Sequence, residues 1–343
     1  MSGPRHHGNI ALFVPHLGCP HQCSFCEQGA ITGAGHRRPP TPEDVARAAR
    51  IAAESGRGRE TEIAFFGGSF TAIDRGYMLA LLEAAKAAVE RYGFKGVRCS
   101  TRPDAVDPQV LGLLKAYRVT AVELGAQSMD NGVLAANRRG HRAEDTVRAA
   151  GFVCKAGLEL GLQMMTGLYT DTDEKALDTA DKLIALGPRT MRVYPTLVLP
   201  GTELAALWQG GRYAPQPLEE AVALCARLLD RFEQAGVRVI RMGLHAGPGL
   251  EQARLAGPYH PAFRQLVESR RFLGRLLATL AGQGPGDYVV AVCPEDISNA
   301  LGQGRENLGR LEGLGYRVRF LQQAGLGRGT YSATRIEEAR QEK

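Results

Sequence analysis

Short apolar runs alternate along the chain with longer stretches whose apolar residues recur at helical spacing. Residues 10–14, 62–66, 96–100, 119–124, 158–165 and 190–194 read as strands. The intervening stretches read as amphipathic helices. The first spans 41–55, with Thr41 as N-cap, Pro42 at the first helical position, acids in the first turn and an apolar face of Val45, Ala48, Ala49 and Ala52. The second runs from the Asp74 cap to Arg91 and buries Leu79, Leu82, Ala85 and Val89. Further helices are expected from Asp107-Pro108 to about 116 and over 143–155, 173–186 and 218–234, with 237–242 as a candidate edge strand. Strands separated by such helices imply right-handed crossovers and a parallel sheet. Six units predict an α/β fold, a partial (β/α)6-type parallel barrel. Chemistry in such barrels sits in the loops at the C-terminal strand ends.

The Gly-rich stretch 245–262 breaks this pattern and sets the expected organisation: a core domain 1–245, a linker 246–262 and a small α+β domain 263–343. In the latter, a basic helix (263–280) and a strand (287–292) precede two short helices around Gly302-Gln303-Gly304 and a strand at 316–321. The last ~20 residues, Gly-rich and then charged, are expected to fray.

Composition changes this picture little. A chain of 343 residues, 23% charged and 44% hydrophobic, is ordinary for a globular protein. No apolar run approaches the ~20 residues needed to cross a bilayer, and the N-terminus has no apolar signal core. A cytoplasmic protein with a short frayed tail, carrying inert His6 and His7, is therefore expected. A net charge of +6 permits an anionic partner such as RNA. Arginine far outnumbers lysine along the whole chain, so this charge is general composition as much as a patch.

The chemistry concentrates just after the first strand. Cys19, Cys23 and Cys26 fall within GCPHQCSFC, short enough to bring three thiolates to one centre. Thiolates select iron–sulfur clusters, zinc or Cu(I), and three are one short of a closed tetrahedral zinc site or an all-Cys cluster. A disulfide framework does not suit them, because Cys99, Cys154, Cys225 and Cys293 are scattered. Structural zinc with a fourth ligand from His21, Cys99 or another histidine is the alternative on spacing alone.

The spacing C-x3-C-x2-C, with Phe25 before the last cysteine, resembles the cluster loop of the radical S-adenosylmethionine (SAM) superfamily. After the second strand, Gly67, Gly68 and Ser69 of FFGGSF resemble that superfamily's glycine motif, which contacts the SAM amino group; Ser69 stands where an acid is often found. STRPD (100–104), VELGAQS (122–128), NRRGH (137–141) and VYPTLVLPGTELAALWQGGRY (193–213) resemble the radical SAM domain of the Elongator catalytic subunit family. QMMTGLY (163–169) stands where that family has HMMPDLPG, with Gln163 and Thr166 departing from the pattern. The likeness covers roughly 10–245.

This resemblance implies a [4Fe-4S] cluster on Cys19, Cys23 and Cys26 whose open iron chelates SAM. Reductive SAM cleavage would then give a 5′-deoxyadenosyl radical, with an electron donor such as ferredoxin or flavodoxin. Arg102, Glu123, Gln127, Ser128, Gln163 and Tyr194 lie at or just after strand ends and join Phe25, Gly67, Gly68 and Ser69 as candidate cofactor residues; Arg138 and His141 share that placement. Arg102 and Glu123 could equally pair across adjacent strands. The family's acetyltransferase domain has no counterpart in the ~80 residues after the core. VAVCPEDISNALGQGRENLGRLEGLGYRVRF instead resembles a KH RNA-binding module, whose G-x-x-G turn binds phosphates with backbone donors. Here the turn reads Gly302, Gln303, Gly304, Arg305, and Arg305 or Arg310 could contact phosphate. The expected activity is radical modification of tRNA or another structured RNA. A small-molecule or peptide substrate, or a non-catalytic RNA-binding protein with a structural metal, are the rival readings.

Overall fold

The computed structural model describes residues 8–14, 17–19, 22–27, 38–244 and 248–336. His6, His7, His21 and everything after residue 336 lie outside them. The chain divides into two compact units, residues 1–221 with 228–261 and residues 222–227 with 262–343. No helix among the described residues is long and apolar enough to cross a membrane.

The first unit is built on seven strands: β1 (Gly8–Val14), β2 (Thr61–Gly67), β3 (Gly96–Thr101), β4 (Val119–Gln127), β5 (Glu159–Thr166), β6 (Thr190–Pro195) and β7 (Arg238–Met242). They lie in the sheet in sequence order, and every neighbouring pair is parallel. The crossovers carry α1 (Pro42–Glu54), α2 (Arg75–Tyr92), α3 (Pro108–Ala116), α4 (Asn131–Ala136), α5 (Ala143–Lys155), α6 (Asp173–Ile184), α7 (Glu203–Gln209) and α8 (Leu218–Gln234); α9 (Pro248–Ala253) follows β7. Adding each strand on the same side, always with the same handedness, curls the sheet. The Arg192 guanidinium on β6 accordingly lies 4.7 Å from the Phe66 ring on β2, four strands away in the sheet order. This is the expected parallel half-barrel, with β7 as its edge strand.

Local sequence explains the helix starts. Thr41 and Asp44 cap each other reciprocally at α1: the Thr41 hydroxyl accepts from the Asp44 amide at 3.3 Å, and the Asp44 carboxylate accepts from the Thr41 amide at 2.9 Å. Asp74 accepts from the Tyr77 amide at 2.9 Å. The buried stripe of α2 is Met78, Leu81, Leu82, Ala85, Ala88 and Val89, so Leu79 sits at its margin rather than in its centre. Within 246–262, Leu250 packs on Leu197 and Leu199, and Ala256 bridges Val198 in antiparallel fashion.

The second unit holds α10 (Phe263–Ala281), β8 (Gly286–Val292), α11 (Ile297–Leu301), α12 (Glu306–Gly313), β9 (Tyr316–Gln322) and β10 (Tyr331–Arg335). Its sheet order is β10-β8-β9, with β8 parallel to β9 and antiparallel to β10. Phe272, Leu273, Leu276 and Leu280 of α10 close over Tyr288, Val290 and Val292 of β8. The strand β10 corrects the expectation of fraying up to Arg335. Its alternating Tyr331 and Ala333 turn inward, and the Tyr331 ring lies 5.4 Å from that of Phe272.

Candidate active site

The three-cysteine loop is fastened at two places among its described residues. Where it leaves β1, its backbone runs against the end of β2: the Gly68 amide donates to the Val14 carbonyl at 2.8 Å, and the Ser69 amide to that of Leu17 at 3.1 Å. A Cβ at Gly68 would stand 2.1 Å from the Leu17 oxygen, and one at Gly18 would stand 2.3 Å from the Ser69 oxygen. Glycine is required at both positions because two backbones meet there. Beyond the loop's middle, the Ser24 amide donates to the Asn137 carbonyl at 3.1 Å and the Ser24 carbonyl accepts from the Leu204 amide at 2.7 Å. Phe25 packs against the cluster of Val198, Leu204, Leu207 and Tyr213.

Cys19, Cys23 and Cys26 line one cavity of about 740 Å3. Phe25, Gly67, Gly68, Ser69, Arg102, Gln127, Gln163 and Tyr194 line it with them. The Cys23 sulfur is buried and accepts from Arg139 Nη1 at 3.2 Å, while Arg139 Nη2 donates to the Gly125 carbonyl at 2.6 Å. The Cys19 thiol faces the Ser69 hydroxyl at 3.8 Å. Among the described residues, no group of three or more His, Cys, Asp or Glu side chains is placed to hold a single metal ion. His21, a possible fourth zinc ligand, lies outside the described residues; in a cluster each thiolate takes its own iron. Cys99, once a possible extra ligand, is fully buried on β3, and burial pushes its thiol up to about 12.

The cavity wall holds polar atoms that the protein leaves unanswered. Arg102 is 4% exposed. Its Nε and Nη2 donate to Asp104 at 2.9 and 2.7 Å, but Nη1 is buried without a partner. Gln127 Oε1 is likewise buried and unpaired. Gln127 has φ +65° at a register irregularity between β4 and β5, and such a bulge re-aims a side chain at a strain of about 1–3 kcal/mol. An unpaired buried polar atom costs about 1–3 kcal/mol. A spare donor and a spare acceptor beside three thiols fit a thiolate-held cluster with a small polar cofactor on it.

Glu123 and Ser128 correct the sequence reading, since neither lines the cavity. Glu123 is 1% exposed and sits inside the half-barrel, where it accepts from Arg192 Nε at 2.6 Å, Arg192 Nη2 at 3.0 Å, Gln163 Nε2 at 2.9 Å and Arg98 Nη1 at 3.3 Å. Arg98 also meets Glu62 and Glu159, at 2.8 and 2.6 Å. Arg102 thus pairs with Asp104, and Glu123 with Arg98 and Arg192, instead of with each other. Ser128 accepts from the Asp130 amide at 3.1 Å and lies 3.4 Å from the Thr179 hydroxyl, holding the turn after β4.

The pair Arg138-Arg139 shows what sequence alone missed. Arg138, in left-handed backbone (φ +52°), points to solvent and pairs with Glu203 at 2.7 Å. That turn sends the next residue, Arg139, inward to Cys23. His141 is buried nearby with neither ring nitrogen bonded. Burial, reinforced by Arg139 and opposed by Asp104, lowers its pKa to about 4. Arg192 and Arg241 also line the cavity, and strand alternation on β6 and β7 was the available signal for them. In the second unit, Gly302 to Arg305 form the turn between α11 and α12, with Gly302, Gly304 and Arg305 in left-handed backbone. Arg310 donates from Nε to Glu306 at 2.8 Å, one turn earlier.

Comparison with known proteins bears directly on this cavity. The sequence model "Radical SAM superfamily" matches residues 13–183, and "Radical_SAM C-terminal domain" matches 188–271. A "tRNA uridine(34) acetyltransferase" from Dehalococcoides mccartyi is 27% identical over 296 residues, 76% of this chain and 64% of that protein. Human "Elongator complex protein 3" is 30% identical over 137 residues, 39% of this chain and 25% of that one. This chain thus spans less than two thirds of the length of either relative. The structure of archaeal Elp3 from Methanocaldococcus infernus superposes with a TM-score of 0.62 at 20% identity, covering 80% of this chain and 63% of that one. It shares the fold. A half-barrel with three cysteines behind its first strand, matched from residue 13 to residue 271 by two sequence models of one superfamily, places the chain among the radical SAM proteins: it belongs to the radical SAM superfamily of enzymes.

Proposed function

We propose that this chain holds a [4Fe-4S] cluster on Cys19, Cys23 and Cys26, binds SAM on it, and uses the pair for radical modification of tRNA or another structured RNA. The observation that carries the cofactor part is the meeting of all three thiols with unpaired Arg102 Nη1 and Gln127 Oε1 at one cavity. A cluster bound there and reduced by a donor such as ferredoxin or flavodoxin would supply one electron to the SAM sulfonium, breaking its bond to C5′ to release methionine and a 5′-deoxyadenosyl radical able to take hydrogen from substrate. The chain's own residues hold and orient. The glycines at 18, 67 and 68 let the cysteine loop close onto the end of β2, Arg139 neutralises Cys23, and Arg102 and Gln127 offer polar partners to the cofactor. Phe25 and the apolar cluster behind it keep water from that side of the cavity.

The RNA substrate is supported by the tRNA named for the Dehalococcoides relative and by the glycine-bearing turn at 302–305 of the second unit, read as KH-like. A cytoplasmic setting goes with this chemistry. Protein reconstituted without oxygen, then given reductant, SAM and deuterated bulk tRNA, should yield deuterated 5′-deoxyadenosine. Deoxyadenosine free of deuterium would remove RNA as the hydrogen source, and no deoxyadenosine at all would remove the radical chemistry.

A further inference from the structure

One buried asparagine joins the cysteine loop to two other loops of the half-barrel. Asn137 follows the last turn of α4 and is fully buried. Asparagine at a helix end is often explained by left-handed backbone. Here its φ is −102°, so the reason for asparagine lies in the side chain. Asn137 Oδ1 accepts from the Ser24 hydroxyl at 2.8 Å. Its Nδ2 donates to the Val133 carbonyl at 2.8 Å and to the Tyr169 carbonyl at 2.9 Å. The bond to Val133 finishes α4. The other two leave that helix, one for the cysteine loop and one for the loop after β5. A buried amide is costly until it is bonded, and this one is bonded to the backbone or side chain of three separate segments.

Ser24 receives the grip. It lies between Cys23 and Phe25 and is 1% exposed. Its amide donates to the Asn137 carbonyl at 3.1 Å, its hydroxyl to the Asn137 side chain, and its carbonyl accepts from the Leu204 amide at 2.7 Å. The turn around it is closed by the Cys26 amide, which donates to the Cys23 carbonyl at 3.1 Å. Behind the turn, Phe25 and Tyr169 pack on one apolar cluster, and the Tyr169 ring stands edge-on to that of Tyr213 at 6.3 Å. Two residues beyond Asn137, Arg139 bonds the Cys23 sulfur. The short segment 137–139 therefore holds this turn twice, by Ser24 and by the sulfur.

We infer that Asn137 is a positioning residue for the cluster: through Ser24 it fixes the turn from Cys23 to Cys26, so that both thiols stand in place before iron arrives. The inference rests on the cluster reading above and adds to it the residue that shapes the ligand loop. A loop without such an anchor must order itself as the cluster binds, and that ordering weakens binding.

The test labels the metal-free full chain with iodoacetamide under reductant and reads each cysteine by mass spectrometry. Cys154, exposed on α5, should react freely, and buried Cys23 slowly. Ser24→Ala removes one hydroxyl and should raise the Cys23 rate about fivefold, the effect of one hydrogen bond on a local opening. Asn137→Ala also releases the Tyr169 loop and should raise it about tenfold or more. Cys99, inside β3, should stay unlabelled in both. The double variant should react no faster than Asn137→Ala, because both substitutions break the same contact. After anaerobic reconstitution, a chelator should strip iron from Ser24→Ala faster than from wild type. A wild-type Cys23 rate in both single variants overturns the inference, as does a double variant whose effects multiply. Cys99 labelling that rises in step with Cys23 in Ser24→Ala overturns it too, since the contact would then serve the whole fold. Should Asn137→Ala fail to fold, Ser24→Ala decides alone, and a wild-type Cys23 rate there sinks the anchor. If labelling comes out as expected while wild-type protein takes up no iron, the anchor stands and the cluster reading falls. Normal iron uptake with unchanged labelling keeps the cluster reading and removes the anchor.

Discussion

Arg98 and Arg102 lie four residues apart, one inside β3 and one just past its end, and both are buried. Arg98 meets three carboxylates, Glu62, Glu123 and Glu159. Arg102 meets one and leaves Nη1 bare. The contrast extends to their surroundings. Around Arg98 the charges balance within the half-barrel, while around Arg102 the unpaired atoms gather: its own Nη1, Gln127 Oε1, Arg139 Nε and both nitrogens of His141. A buried polar group that the protein satisfies itself serves the fold. One that it leaves unsatisfied, at a cost, points to something the fold is built to receive.

The largest effect that can test this division is all-or-none. Cys19→Ala, Cys23→Ala and Cys26→Ala should each reduce iron and inorganic sulfide after anaerobic reconstitution to background, while the cluster-free chain unfolds within about 1 kcal/mol of wild type. Iron retained in any one variant would strike that residue from the ligand set. Arg98→Met should do the reverse. It takes a partner from three carboxylates at once, and removing one partner of a buried ion pair costs about 3–5 kcal/mol, read as a fall in the urea midpoint. Arg102→Met should cost far less stability but weaken SAM binding about tenfold or more, because it removes a donor the protein itself does not use. Equal destabilisation by the two substitutions would break the comparison.

His141 offers an effect set by pH. Its pKa is held near 4 in the folded chain, against about 6.5 when unfolded. The neutral ring is thus favoured by folding, and no penalty is felt above pH 6.5. As pH falls from there toward 4, the unfolded chain takes up a proton that the folded chain refuses, and stability declines by up to about 3 kcal/mol. His141→Gln should flatten that limb, in thermal melts between pH 4 and 7, relative to wild type. A limb of unchanged slope would show that other groups carry the acid sensitivity.

How much of this was readable in the chain depends on how local the signal was. Strands, helix caps and the cysteine loop were legible because each rests on neighbours within a few residues: Thr41 with Asp44, Cys19 with Cys26. The half-barrel followed from the alternation. The pairings of Glu123 were hidden, since its partners Arg98 and Arg192 are 25 and 69 residues away. Only the curl of the sheet brings them to one carboxylate, so a residue at a strand end read as a cofactor contact. β10 was hidden by its shortness behind a Gly-rich loop; the Tyr331–Phe272 contact that fixes it is wholly tertiary.

The smallest expected effect concerns adjacent residues. Arg138 and Arg139 are chemically identical, and nothing in NRRGH says which matters. The left-handed backbone at Arg138 decides it by turning one side chain out and the next in. Exposed ion pairs are worth about 0–1 kcal/mol, so Arg138→Ala, which removes the pair with Glu203, should shift stability by about 0.5 kcal/mol or less and leave iron content and cluster potential unchanged. Arg139→Ala should move the midpoint potential of the reconstituted cluster to more negative values, because a cationic donor to a thiolate ligand stabilises the reduced cluster. Removing the inner arginine leaves the Gly125 carbonyl unpaired, so a loss of stability alone would say only that it packs. A potential that moved in Arg138→Ala and not in Arg139→Ala would reverse the assignment and, with it, the claim that burial beside an unanswered atom marks the functional wall.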